Sequence, residues 1–133
     1  MYPRFLLVLV AMAPATFACA DDCDHASDQR TMSECTDKAF RKSDATLNAL
    51  YKQIVQRLQD DAATTKLLVS AQRAWVAFRD AECTFSASST SGGTMYPMVY
   101  ATCADGLTQK RIGELKVYLS CQQGDTNCPV PAK

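Results

Sequence analysis

The stretch LVSAQRAWVAFRDAEC, residues 68–83, decides the fold class. Its apolar residues recur at intervals of three and four, the spacing of one helix face: Leu68, Ala71, Trp75 and Phe78. Asp61 precedes the pattern and can accept hydrogen bonds from the free amides of a first turn. The sequence therefore predicts a helix over about 62–84, with this apolar face turned toward a core.

The helical period continues on both sides of this stretch. Upstream, Thr31-x-x-Glu34 has the pattern of a capping box, and apolar residues follow at helical spacing as far as Leu58. Downstream, residues 86–94 (SASSTSGGT) form a predicted loop, and Pro97 suits the first turn of a third helix. The sequence has no strand pattern, so the predicted fold is all-α: an antiparallel helical hairpin plus a third helix, stabilised by disulfides.

A turn near residue 62 sets the register of the predicted hairpin. In that register Asp44 of the first helix lies opposite Arg79 and Asp80 of the second, and Tyr51 comes near Gln72. Opposite charges at facing positions favour a charge-assisted contact when their other donors are satisfied. We therefore predict a polar network between the two helices, centred on an Asp44–Arg79 pair.

The composition excludes several functions. Lys and Arg number 14, and Asp and Glu also number 14, so the chain lacks the basic surface of a nucleic-acid binder. It also lacks the polybasic patch of a protein that binds a membrane surface. The one histidine, His25, leaves little material for a Ser-His-Asp triad or a multi-histidine metal site. The sequence predicts no metal site and no cofactor.

Residues 1–20 have the features of a secretory signal peptide. A basic residue precedes a nine-residue apolar run that is too short to span a bilayer, and Ala18-Cys19-Ala20 fits a cleavage site. Cleavage there removes Cys19 and leaves residues 21–133 as a periplasmic or secreted protein without a membrane span. Lipidation of Cys19 is the alternative, although the residues before it form a poor lipobox.

Seven cysteines in so short a chain indicate an oxidising compartment. Without Cys19 six remain, which is the even number that a disulfide framework needs. Sequential pairing is one of about fifteen possible connectivities and the one favoured by proximity: Cys23–Cys35, Cys83–Cys103 and Cys121–Cys128. The middle bond would clamp the predicted loop at its base and contribute about 3 kcal/mol.

Three groups of residues resemble the signature of a known family. They are AQRAWVAFRDAEC at residues 71–83, Asp44-x-x-Leu47-Asn48-x-x-Tyr51, and Thr108-x-x-Arg111-x-x-Glu114-Leu115. On these motifs the chain is similar to the LprI-like lysozyme inhibitor family, a small helical domain. The resemblance implies a domain over 21–121, a C-terminal tail over 122–133, and a lysozyme or other cell-wall hydrolase as partner.

Most motif residues are predicted to be structural. They are polar or aromatic residues of the first two helices: Asp44, Asn48, Tyr51, Gln72, Arg73, Trp75, Arg79 and Asp80. Trp75 is expected in the core because its helix face is apolar. Partner binding is assigned to the loop before the third helix: Ser91, Gly92, Gly93, Thr94, Met95, Tyr96 and Met98. A loop clamped at its base can enter a partner's cleft at low entropic cost, and the alternative is a plain connector that folds back onto the core.

The leading hypothesis is a secreted, non-enzymatic protein that inhibits a lysozyme or related glycan hydrolase by blocking its cleft. The second hypothesis is a structural or adaptor module of the bacterial envelope with no inhibitory activity. A hydrolase that uses Asp80 or Glu82 is disfavoured, because side chains two positions apart diverge on a helix. The oligomeric state is left open by the sequence.

Overall fold

The computed structural model describes residues 26–132, and over that range it contains three long helices and no strand. Helix α1 spans Gln29–Arg57, α2 spans Ala62–Ser86 and α3 spans Tyr96–Leu119, with a short 3-10 helix at Ser88–Thr90. The predicted all-α fold is confirmed. The predicted signal peptide, with Cys19 in it, and His25 lie outside the described residues.

Aspartate side chains begin the first two helices. Asp28 Oδ1 accepts a hydrogen bond from the Thr31 amide at 3.0 Å, and Asp61 Oδ1 accepts one from the Thr64 amide at 2.9 Å. Each carboxylate also accepts from the hydroxyl of the same threonine, and these bonds hold the pKa of both aspartates below the usual range. The capping box predicted from Thr31 and Glu34 is therefore wrong, because α1 begins earlier and Thr31 is a donor inside its first turn.

Helices α1 and α3 run parallel and form the most closely packed pair in the described chain. Near their starts the Gln29 side-chain amide donates to the Met98 sulfur at 3.7 Å, and near their ends Arg57 Nη1 donates to the Leu119 carbonyl at 2.8 Å. Helix α2 is antiparallel to both. Its backbone lies close to α3, whereas long side chains bridge the wider gap to α1.

The core lies between α1 and α3 and is closed at one end by residues beyond α3. Its fully buried members are aliphatic: Leu47, Ile54, Leu58, Ile112 and Leu115. Cys121 and Val130 join the same cluster, and Trp75 of α2 packs against it while staying half-buried. The segment predicted as a C-terminal tail thus contributes a buried side chain to the core, because the bond between Cys121 and Cys128 turns the chain back.

Two of the three predicted disulfides are formed. Cys83 and Cys103 join α2 to α3 with Cα atoms 5.5 Å apart, and the Cα atoms of Cys121 and Cys128 are 5.7 Å apart. Cys35 is also disulfide-bonded. Cys23, its predicted partner, lies outside the described residues.

Helix α2 is rotated relative to the prediction. Leu68 and Trp75 are half-buried as expected, but Ala71 and Phe78 of the same predicted face are exposed. The buried residues of α2 are instead Gln72, Arg79 and Cys83. The disulfide of Cys83 and the polar partners of Gln72 and Arg79 turn this side inward and leave the more apolar side in solvent.

Candidate functional site

Arg79 is the centre of a polar network between the helices. Its side chain is only 9% exposed, and its Nη1 donates to Asp44 Oδ1 at 2.9 Å across the α1–α2 gap. Its Nε donates to Asp80 Oδ1, also at 2.9 Å. The predicted Asp44–Arg79 pair is therefore present. Burial disfavours the guanidinium charge, but the bonds to Asp80 and Asp44 outweigh burial and raise the pKa of Arg79.

Aromatic rings complete the surroundings of this guanidinium. The Arg79 carbon Cζ lies 5.1 Å from the centroid of the Phe40 ring and 5.4 Å from that of Trp75. Arg111 of α3 approaches Trp75 as well, with its Cζ 6.0 Å from the ring centroid. Desolvated guanidinium groups over aromatic rings gain cation–π attraction, so Arg79 links α2 to Phe40 of α1, and Arg111 links α3 to Trp75 of α2.

The network extends to α3 at two points. Arg111 Nε donates to Gln72 Oε1 at 3.2 Å, and its Nη1 is paired with Glu114. The Tyr100 hydroxyl donates to Asp80 Oδ1 at 3.3 Å. Burial, followed by the negative charge of Asp80, raises the pKa of Tyr100.

These α3 partners were not identified from the sequence. Arg111 belongs to the motif Thr108-x-x-Arg111-x-x-Glu114-Leu115, and this motif was the one sequence feature that could have identified it as a network residue. Nothing in the sequence pointed to Tyr100, and Phe40 of α1 was identified only as part of the apolar pattern of its helix. Asp80 accepts hydrogen bonds from Arg79 and Tyr100, and it therefore holds these two side chains in place within the network.

The remaining predicted structural residues lie along the α1–α2 gap. Asn48 donates from its side-chain amide to Asp44 Oδ2 at 3.0 Å. Asn48, Tyr51, Gln72 and Arg73 line a shallow groove of about 510 Å³ there, together with Val69 and Val76. Arg73 is exposed at the edge of this groove. Within residues 26–132 no group of three or more His, Cys, Asp or Glu side chains is placed to hold a metal ion.

The loop between α2 and α3 divides into an exposed tip and a supported base. Residues 91–95, the loop tip, are all exposed, and Met95 is 45% exposed. At the base, Tyr96 stacks on Tyr100 with centroids 6.1 Å apart, and Met98 accepts the hydrogen bond from Gln29. The predicted partner-binding residues are therefore split, because Tyr96 and Met98 are half-buried against the helices.

Backbone geometry fixes the shape of the loop tip. Gly92 has φ 76°, which lies in the left-handed region that glycine adopts most easily. At Gly93 a Cβ would lie 3.2 Å from the Thr90 carbonyl oxygen, closer than ordinary packing allows. The 3-10 helix and the Cys83–Cys103 bond hold the chain on either side of this turn. No charged residue occurs between Glu82 and Asp105, so the whole loop is uncharged.

The fold and these features define a disulfide-stabilised three-helix domain that presents a short, uncharged loop. Comparison with known families gives the domain its name. A family model described as "Lysozyme inhibitor LprI" matches residues 19–115, and the chain belongs to this family. The family name describes its members as lysozyme inhibitors. In the described part of the chain no helix is long and apolar enough to cross a membrane.

Two similar proteins extend the comparison. The chain is 36% identical over 126 residues to "Uncharacterized protein R02472" of Rhizobium meliloti (strain 1021), a match that spans 86% of this chain and 91% of that protein. Its fold resembles the crystal structure of a DUF1311 family protein from Pseudomonas putida KT2440, with a TM-score of 0.61 and 20% identity. That match covers 68% of this chain and 92% of the other, and it supports the three-helix fold.

Proposed function

We propose that this chain is exported through a cleaved signal peptide and inhibits a lysozyme in the periplasm or outside the cell. The observation that carries the proposal is its membership of the LprI lysozyme inhibitor family. The two described disulfides support an oxidising compartment. An inhibitor needs no chemistry of its own, since it must only cover the cleft in which the substrate binds.

The loop tip, residues 91–95, is the proposed inhibitory element. Lysozymes cleave glycan with two carboxyl groups placed in a cleft. An uncharged loop can approach these groups without like-charge repulsion, and the hydroxyls of Ser91 and Thr94 can donate hydrogen bonds to them. Because the disulfide of Cys83 and the stacked Tyr96 hold the base of the loop, little conformational entropy remains to be lost on binding.

The test measures lysozyme activity on cell-wall substrate with increasing amounts of oxidised residues 21–133. We expect dose-dependent inhibition. Met95→Glu places a carboxylate at the exposed tip and should weaken inhibition about tenfold or more through repulsion from the cleft acids. Val117→Glu is the matched control, because Val117 is also an exposed apolar residue and lies on α3, outside the loop.

Each outcome assigns the function differently. Equal inhibition by both variants would overturn the role of the loop tip and leave lysozyme binding to another surface, such as the groove beside Arg73. Absence of inhibition by the unaltered protein, against several classes of lysozyme, would overturn the proposed function. The alternative would then be a structural or adaptor module of the envelope.

A further inference from the structure

An exposed apolar stripe runs along the outer side of α2. Its large members are Leu67, Phe78 and Phe85, whose exposed fractions are 71%, 54% and 75%. The exposed residues Ala71, Ala74 and Ala81 lie between them. The six residues follow one another at intervals of four, three, four, three and four, which is the spacing of a coiled-coil seam.

The six residues of the α2 stripe carry no charge, although the exposed charged residues Lys66, Arg73 and Glu82 of the same helix lie beside it. Ser70, Ala77 and Thr84 flank it on one side, and all three are exposed, small and uncharged. By contrast, exposed charged residues are spread along the outer surfaces of α1 and α3: Lys38, Arg41, Lys42, Lys52, Lys110, Glu114 and Lys116. A face without charges can meet an identical face without repulsion, and its small flanking residues let two backbones come close.

The positions of the stripe residues are symmetric about residue 76. Leu67 and Phe85 lie at equal distances on either side, as do Ala71 and Ala81, and Ala74 and Phe78. A two-fold axis at residue 76 would therefore place each member opposite its counterpart on an antiparallel second copy. Phe78 of each copy would then pack over Ala74 of the other, a large side chain against a small one.

We propose that two copies of this chain associate through this stripe, as an antiparallel α2–α2 pair. The inference goes beyond lysozyme inhibition and does not depend on it. The three large side chains expose on the order of 400 Å² per copy, since a fully buried phenylalanine removes roughly 150–250 Å². When the alanines and the flanking residues of both copies are included, the total buried area approaches the lower limit of about 1,200 Å² for specific interfaces. An interface at this lower limit fits a weak, reversible dimer.

Sedimentation equilibrium of the oxidised protein, from about 1 to about 300 µM, tests the proposal. The average mass should rise from that of one chain toward that of two. Ala74→Glu puts a carboxylate opposite Phe78 of the second copy and should weaken association about tenfold or more. Ala49→Glu is the matched control, because Ala49 is an exposed alanine on α1, and this variant should associate like the unaltered protein.

A second variant tests the geometry. Ala77 lies on the flank of the stripe beside the proposed axis, so a short thiol-reactive cross-linker should join two copies of Ala77→Cys, whereas it should not join two copies of Ala45→Cys on α1. A single-chain mass throughout the concentration range would overturn the proposal, as would equal association of the Ala74→Glu and Ala49→Glu variants. Binding of a monomeric protein to phospholipid vesicles, abolished by Ala74→Glu, would assign the stripe to a membrane surface and also overturn it. Because no hydrolase is present, these results are independent of the inhibition assay.

Discussion

On the inner side of α2 the buried residues are Gln72, Arg79 and Cys83, whereas on its outer side Leu67 and Phe85 are largely exposed. A helix on the surface of a globular domain normally has the opposite arrangement. The inner side is stable because its donors have acceptors and its cysteine is bonded to α3. The large apolar side chains of the outer side have no such cover within the described chain, which is why we propose that a second copy packs on them.

Among substitutions on α2, the largest expected effect comes from removing the charge on the inner side. Arg79→Met should lower the free energy of unfolding by about 2–3 kcal/mol, because it leaves two partly exposed carboxylates, Asp44 and Asp80, without their shared partner. Urea unfolding checks the value. Arg41→Met is the control, since Arg41 forms an ion pair with Asp37 on the surface of α1, and it should change stability by less than about 0.5 kcal/mol. Equal effects of the two variants would mean that the inner network contributes no more than a surface ion pair.

A smaller effect is expected on the outer side. Phe85→Gln should change the unfolding free energy of dilute, monomeric protein by less than about 0.5 kcal/mol, because the side chain is already in solvent. Leu115→Ala, at a fully buried position, should cost about 2–5 kcal/mol in the same urea titration. A loss of unfolding free energy for Phe85→Gln as large as that of a core substitution would mean that the outer side is covered within one chain. The contrast between the two sides of α2 would then not hold.

The smallest effect concerns the carboxylate that begins α2. Hydrogen bonds from the Thr64 hydroxyl and amide lower the pKa of Asp61 in the folded protein. Its contribution to stability is therefore present above the unfolded pKa of 3.8 and is lost as the pH falls through the lower folded value. Asp61→Ala should lower the melting temperature by a few degrees at neutral pH, and this difference should shrink in acid.

Thermal unfolding followed by circular dichroism between about pH 2 and pH 7 measures this dependence. Asp60→Ala provides the control, because Asp60 is an exposed neighbour that makes no cap. A deficit of Asp61→Ala that stayed constant into acid would show that the ionised carboxylate is not what stabilises the start of α2.

The register of the hairpin was predictable because it depends on one local feature, the turn near residue 62. Once that turn is placed, Asp44 and Arg79 must face each other, and the structure joins them. Two disulfides followed from proximity along the chain in the same way. The exposed loop tip was also predictable, since small polar residues and glycines rarely form a helix.

The orientation of α2 was not predictable from the period alone. Leu68 and Trp75 define one apolar stripe, and Leu67, Phe78 and Phe85 define another beside it with the same spacing. The buried side of α2 is decided by the ion pair between Arg79 and a residue of another helix. Hydropathy gives no information about such a pair. The burial of Val130 was missed for a similar reason: a lone apolar residue between two prolines carries no periodic signal.

Val130 has a consequence for the order in which the domain can be completed. Synthesis from the N-terminus delivers all three helices before residues 121–130, which close one end of their core. In the folded domain Val130 lines one apolar cleft together with Leu58 and Tyr118. The Cys121–Cys128 bond holds this last segment in place, so this end of the core is closed only after the three helices that it covers have been made.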